Sequence, residues 1–135
     1  MADAMRGSCL CGSIAFEIRP PFVTFRYCHC SRCQKASGSA HAANLFVPAA
    51  QFAWTKGEAT VKHYHLAASQ RFGVSFCPTC GTRVPHKVKT REDYLVPAGV
   101  LDDDPGVRPE NSIFWDSKAL WYVTPDTHDR MSEYK

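Results

Sequence analysis

Between Tyr27 and Gln34 the chain reads YCHCSRCQ, placing Cys28, Cys30 and Cys33 within six residues. Two pairs stand elsewhere, Cys9-x-Cys11 in GSCLCG and Cys77-x-x-Cys80 in FCPTCGT. Thiolates at such spacings suit a metal ion. In a C-x-x-C turn both sulfurs can point at one ion while backbone amides donate to them. A glycine directly after the second cysteine, here Gly81, permits the positive φ that folds the chain back. The total of seven cysteines is odd, and every one lies in a cluster. The N-terminus, MADAMRGSCLCG, has neither the positive charge nor the apolar run of a signal peptide. A disulfide framework is therefore not expected, metal ligation is, and the cytoplasm is the expected location.

The turn at Cys77 and Cys80 supplies two ligands, and a closed zinc tetrahedron needs four. The other two could be Cys9 and Cys11, or two members of the cluster at 28, 30 and 33. If Cys28, Cys30 and Cys33 all share one ion, then Cys9, Cys11, Cys77 and Cys80 remain as a complete four-sulfur set, and the cluster keeps an open position. Closed sites are structural and contribute outright to folding, whereas chemistry needs an open one. Spacing alone also allows a histidine, such as His29, His41 or His63, to close the second set and make it structural too. Iron–sulfur ligation uses the same residue types. A thioredoxin-type redox pair at CPTC lacks its βαβ context. A zinc deaminase would need H-x-E and a proline before the first cysteine of C-x-x-C, but Ala42 and Ala43 follow His41 and Phe76 precedes Cys77.

Around the cluster, Arg32 and Lys35 flank Cys33 and could offset thiolate charge or hold a carboxylate. His29 sits between two candidate ligands and could donate to sulfur. His41 and the SGSA stretch could line a cleft.

The elements that must position these residues read as short strands. Ile14, Phe16 and Ile18 alternate with polar or small neighbours, as in a half-buried strand, until Pro20-Pro21 ends it. Val23, Phe25 and Tyr27 alternate again and deliver the chain to Cys28, so the cluster is expected where a strand runs out into a loop. Further strands are expected at Asn44–Val47, Thr60–His65, Arg71–Phe76, Tyr94–Val100, Ile113–Trp115 and Leu120–Val123, with a helical turn over Ala49–Phe52. Pro97 demotes its strand towards an edge or bulge position. No ten-residue amphipathic helix, internal repeat or linker is visible. An all-β, predominantly antiparallel architecture is expected, with Trp54, Trp115 and Trp121 as packing residues.

The 135 residues suit one domain, and 44% hydrophobic with 21% charged residues excludes the disordered and membrane-spanning classes. The net charge of +3 is spread without a basic block. No nucleic-acid partner and no membrane are expected.

GSCLCGSIAFEI, YCHCSRCQKASGSA and GVSFCPTCGT, with VPAGVLDD and a late tryptophan-rich segment, resemble the glutathione-dependent formaldehyde-activating enzyme family, also called the CENP-V/GFA domain. The likeness runs from about Gly7 to about Tyr122. It implies one domain over residues 1–135 with the all-β, Mss4-like fold. It also implies a structural zinc on Cys9, Cys11, Cys77 and Cys80, and a catalytic zinc on Cys28, Cys30 and Cys33. The implied activity is that of a carbon–sulfur lyase acting on thiol–aldehyde adducts, with a glutathione-like thiol and formaldehyde as partners. The centromere-associated branch suggests an alternative, a non-catalytic zinc-binding interaction module. The loops are short, with no insertion to build a dedicated tripeptide pocket.

Overall fold

The computed structural model describes residues 3–133. It is built from eleven strands and one α-helix in these residues: β1 (Met5–Ser8), β2 (Ala15–Ile18), β3 (Thr24–Cys28), α1 (Ser31–Ser37), β4 (Ala42–Pro48), β5 (Phe52–Lys56), β6 (Lys62–His65), β7 (Gly73–Phe76), β8 (Arg83–Val84), β9 (His86–Lys87), β10 (Asp93–Pro97) and β11 (Asn111–Ile113). They form three sheets, β1-β2-β5, β11-β3-β4-β10-β9 and β6-β7-β8. Every strand pairing is antiparallel except that of β11 with β3.

The alternation read in the sequence becomes the core. Phe16 and Ile18 of β2 pack with Phe25 of β3, Leu45 and Val47 of β4 and Val96 of β10, so the first two sheets close over one apolar layer. Truncating a buried aromatic such as Phe16 to alanine costs about 3–5 kcal/mol. A second cluster joins Ile14, Val61 and Val84 to Cys9 and Cys77, which seats one group of sulfurs in apolar packing of its own. A third holds Cys28, Cys33 and Ala42.

Several expectations are corrected. The segment after Cys28 is not a loop, because Ser31–Ser37 is helical, with Cys30 as N-cap and Gly38 closing the helix in the left-handed conformation. Its N-cap acceptor is a sulfur where a sequence reader looks for Ser, Thr, Asp or Asn, and seven residues are too few to show a helical period. Leu120–Val123 forms no strand and lies largely exposed. Of the two late strands expected, only β11 forms, beside β3. That strand itself ends at Ile113, where Phe114 turns left-handed (φ 54°) into a single helical turn at Trp115–Ser117. Trp121 is exposed, whereas Trp115, also partly open to solvent, packs its ring against the buried His29. Strand β10 is flanked by β4 and β9 instead of lying at an edge. Pro97 is accommodated because β9 reaches only Tyr94 and Leu95. The strands β1, β5, β8 and β9 carry no alternation that the sequence reading detected.

Candidate functional site

The seven cysteines gather into two groups. The sulfurs of Cys9, Cys11, Cys77 and Cys80 all lie within 4.8 Å of one another, as do those of Cys28, Cys30 and Cys33. Either group could hold a metal ion. No His, Asp or Glu among the described residues joins the three-sulfur group at that distance.

Two matching turns make the first group. Cys9 follows β1, and the backbone returns through Gly12 N–H to Cys9 C=O (3.0 Å). Cys77 follows β7, and Gly81 N–H reaches Cys77 C=O (2.8 Å). Gly81 adopts φ +75°, the backbone state anticipated for it. A hydroxyl stands two residues after each second cysteine. Ser13 Oγ is 3.1 Å from Cys11 Sγ and 3.4 Å from Cys77 Sγ, and Thr82 Oγ1 is 3.2 Å from Cys80 Sγ. The Thr82 hydroxyl and backbone hold the Cys80 thiol down to about 5, and Ser13 similarly lowers Cys77. Such donors stabilise the thiolate form that a metal requires. The repeated C-G-S and C-G-T were visible in the sequence as a signal for these two hydroxyls.

The second group straddles the end of β3 and the start of α1. Cys33 N–H donates to Cys30 Sγ (3.4 Å), so the helix N-terminus points its amides at the cluster. A hydrogen bond from Cys33, with one from the Cys30 backbone, brings Cys28 down to about 6, whereas that contact and burial push Cys33 up. Of that pair, Cys28 is the thiol that ionises first.

A cavity of about 350 Å³ opens on the three sulfurs and is walled in part by Phe72, Ile113 and Phe114. Among the described residues five arginines, Arg26, Arg32, Arg71, Arg83 and Arg91, line it, and no carboxylate does. Arg91 is paired with Asp93 and Arg26 Nε donates to Thr24, but Arg83 Nε is buried with no partner. Burial lowers Arg83 while the nearby Cys33 opposes that shift. Short loops therefore do not preclude a pocket of substrate size, since strand residues of several elements build it.

Of the flanking residues singled out in the sequence, only Arg32 lines this cavity. Lys35 lies in the last turn of α1, and His41 lines a separate cavity with Ser37. His29 is fully buried among the rings of His41, Trp115 and Tyr122. Its ring nitrogens have no hydrogen-bond partner, and burial, then His41 and Lys118, lower its pKa. His63 is on β6, where it contacts Ser75.

The sequence profile of the glutathione-dependent formaldehyde-activating enzymes matches residues 4–117. The chain belongs to this family. The matched stretch contains all seven cysteines and every cavity-lining residue, and it stops before Trp121 and Tyr122. No significant match was found among curated proteins. The crystal structure of a Rhodobacter sphaeroides protein is similar to this fold with a TM-score of 0.61 at 24% identity, over 80% of this chain and 99% of that one. The all-β, Mss4-like architecture implied by the resemblance is the one observed.

Arg26, Arg71, Arg83, Arg91 and His86 of the cavity were not anticipated. Arg26 alone had a local signal: it stands two residues before Cys28 on one strand, hence on the same face. The others converge only through tertiary contacts.

Proposed function

We propose that the chain is a zinc-dependent enzyme of the carbon–sulfur lyase type, joining glutathione or a similar thiol to formaldehyde and splitting the adduct in reverse, as an S-hydroxymethylglutathione synthase does. Zinc suits both donor sets, each built from sulfurs within 4.8 Å of one another and supplied with hydrogen-bond donors. In this reading Cys9, Cys11, Cys77 and Cys80 hold a structural ion, and Cys28, Cys30 and Cys33 hold the working one. Bound by three sulfurs, zinc would supply a place for an incoming thiol and hold it as a thiolate near neutral pH, where a free thiol of pKa about 8.5 is mostly protonated.

The observation that carries the reading is the three-sulfur group facing a cavity lined, among the described residues, by five arginines and no carboxylate. Three thiolates exceed the charge of a divalent ion, and a fourth adds to the excess, so the site needs cations close by. Arg83, whose field acts on Cys33, meets that need. Arg32 and Arg71 have no ion-pair partner among the described residues and are free to hold the carboxylates of a glutathione-like thiol in bidentate fashion. Phe72, Ile113 and Phe114 screen the sulfurs from water. Holding thiol and aldehyde together turns a bimolecular encounter into an oriented one.

Glutathione and formaldehyde combine unaided, so the test is a rate, not a product. The zinc-loaded protein is expected to raise the initial rate above the uncatalysed background, and Cys33→Ser is expected to return it to background. A fully loaded wild-type protein that leaves the background rate unchanged would overturn the reading.

A further inference from the structure

Along the cavity wall runs a polar chain that holds no sulfur. His86, on β9, lines the cavity and is 3% exposed, yet its Nε2 has no hydrogen-bond partner. Its Nδ1 lies 2.8 Å from Ser75 Oγ, and the same hydroxyl lies 2.7 Å from Nδ1 of His63. Ser75, on β7, is fully buried, whereas His63, on β6, is exposed. The three side chains thus link the cavity to solvent. Gly73 keeps the near end open. It also lines the cavity, and a Cβ there would fall 2.8 Å from His86 Nε2 and 2.8 Å from His65 Nδ1.

A serine hydroxyl donates one hydrogen bond and accepts others, so this chain has two neutral arrangements. In the first, His86 Nδ1–H donates to Ser75, Ser75 donates to His63 Nδ1, and His86 Nε2, beside Gly73 of the cavity wall, carries an unpartnered lone pair. In the second, His63 Nδ1–H donates to Ser75, Ser75 donates to His86 Nδ1, and His86 Nε2 carries the hydrogen. The unpartnered nitrogen is a base in one and an acid in the other. Neither puts lasting charge on His86. Such charge is disfavoured there: burial, then His65, His63 and Arg83, hold the imidazole down to about 4.

We propose that His86, joined to solvent through Ser75 and His63, is the proton carrier of the reaction, taking the proton of the incoming thiol on Nε2 and delivering it to the oxygen of the adduct. This rests on the reading of the cavity as a thiol–aldehyde site. When Nε2 takes the thiol proton, the Nδ1 proton passes to Ser75 and the Ser75 proton to His63, which releases its Nε2 proton to solvent. The carbon–sulfur bond then forms as the carbon–oxygen π bond opens. The oxygen takes the proton from Nε2, and His63 recovers one from solvent as the bridge resets. No electrons are exchanged, and every step reverses for adduct cleavage.

The test compares wild type with His86→Gln, Ser75→Ala, Gly73→Ala and His63→Asn, all with metal content measured. Losing the acid–base group is expected to lower kcat by about a hundredfold in His86→Gln. Ser75→Ala and Gly73→Ala are expected to lose at least about tenfold, with KM for glutathione changed less than about twofold. His63→Asn, at an exposed position where folding is not at risk, is expected to lose kcat and the solvent deuterium isotope effect on it. Nitrogen-15 NMR of the histidine rings provides a readout besides rate: at pH 7 His86 is expected to be neutral, with an Nε2 resonance that moves when glutathione is added and a single tautomer in Ser75→Ala. An active wild type with equally active His86→Gln and His63→Asn would overturn the relay alone. A loaded wild type with no rate above background and no glutathione response at His86 Nε2 would overturn the relay and the parent reading together.

Discussion

At the ends of β1 and β7, four sulfurs face one another across two glycine turns, each trimmed by a hydroxyl, and none of the four lines either cavity described above. At the end of β3, three sulfurs face a cavity with five arginines on its wall. The sulfur chemistry of the two groups is alike. What differs is the fourth neighbour, a further cysteine in one place and open space in the other, and the charge around it. A coordination set completed by the chain serves the fold, and one left incomplete beside cations can receive an anionic guest.

The comparison breaks most sharply at the cysteines themselves. Cys80→Ser is expected to abolish cooperative folding, because it opens the set that ties the first segment of the chain to the third sheet. Cys33→Ser is expected to leave a folded protein with one metal ion fewer. Circular dichroism with metal analysis distinguishes them, and equal unfolding of both variants would erase the distinction drawn here.

Acid sharpens it next. His86 is neutral in the fold with its pKa held to about 4, whereas the same ring in the unfolded chain takes up a proton near pH 6.5. Below pH 6.5 the unfolded state therefore binds more protons. The His86 contribution to stability is fully present above that pH and is lost as pH falls towards 4, by about 2–3 kcal/mol. Urea unfolding of wild type and His86→Gln at pH 7, 5.5 and 4.5 should show the gap between them narrowing with acid.

Arg71→Gln is expected to raise KM for glutathione by about ten- to a hundredfold, the worth of a hydrogen bond to a charged group, while a small thiol without carboxylates is affected less. Equal weakening of both thiols would mean that Arg71 shapes the cavity and does not hold a carboxylate. The smallest expected effect lies in the closed group. Ser13→Ala should loosen its ion by about tenfold in affinity, read as faster loss of one ion to a chelator, with the cavity-side ion unmoved.

Much of this organisation was legible because it is local. Phe16 and Ile18, and Phe25 with Tyr27, show the period of a strand, and C-x-x-C-G announces a turn with Gly81 at positive φ. The four-plus-three grouping of sulfurs was one of the divisions that spacing and counting allowed, and the family resemblance implied it. Helix α1 escaped because its N-cap is Cys30 and it spans seven residues, and β8 and β9 because two residues each carry no period. The cavity escaped for a different reason. Arg26, Arg83 and Arg91 are far apart in sequence, and only the pairing of β3, β4, β9 and β10, with β8 packed nearby, brings them to one wall. Leu120–Val123 looked like a strand because apolar and aromatic residues suit one, but composition supplies no pairing partner, and the segment pairs with no sheet.

One closed and one open set of sulfurs distinguish the two ends of the fold, and cobalt substitution tests that difference directly. With two cobalt ions bound per chain, adding glutathione is expected to intensify the sulfur-to-cobalt absorption by about one thiolate's worth, at one of the two ions, and Cys33→Ser should abolish that response while one ion remains. An absorption unmoved by glutathione in the doubly loaded protein, or a chain that never binds more than one ion, would contradict it.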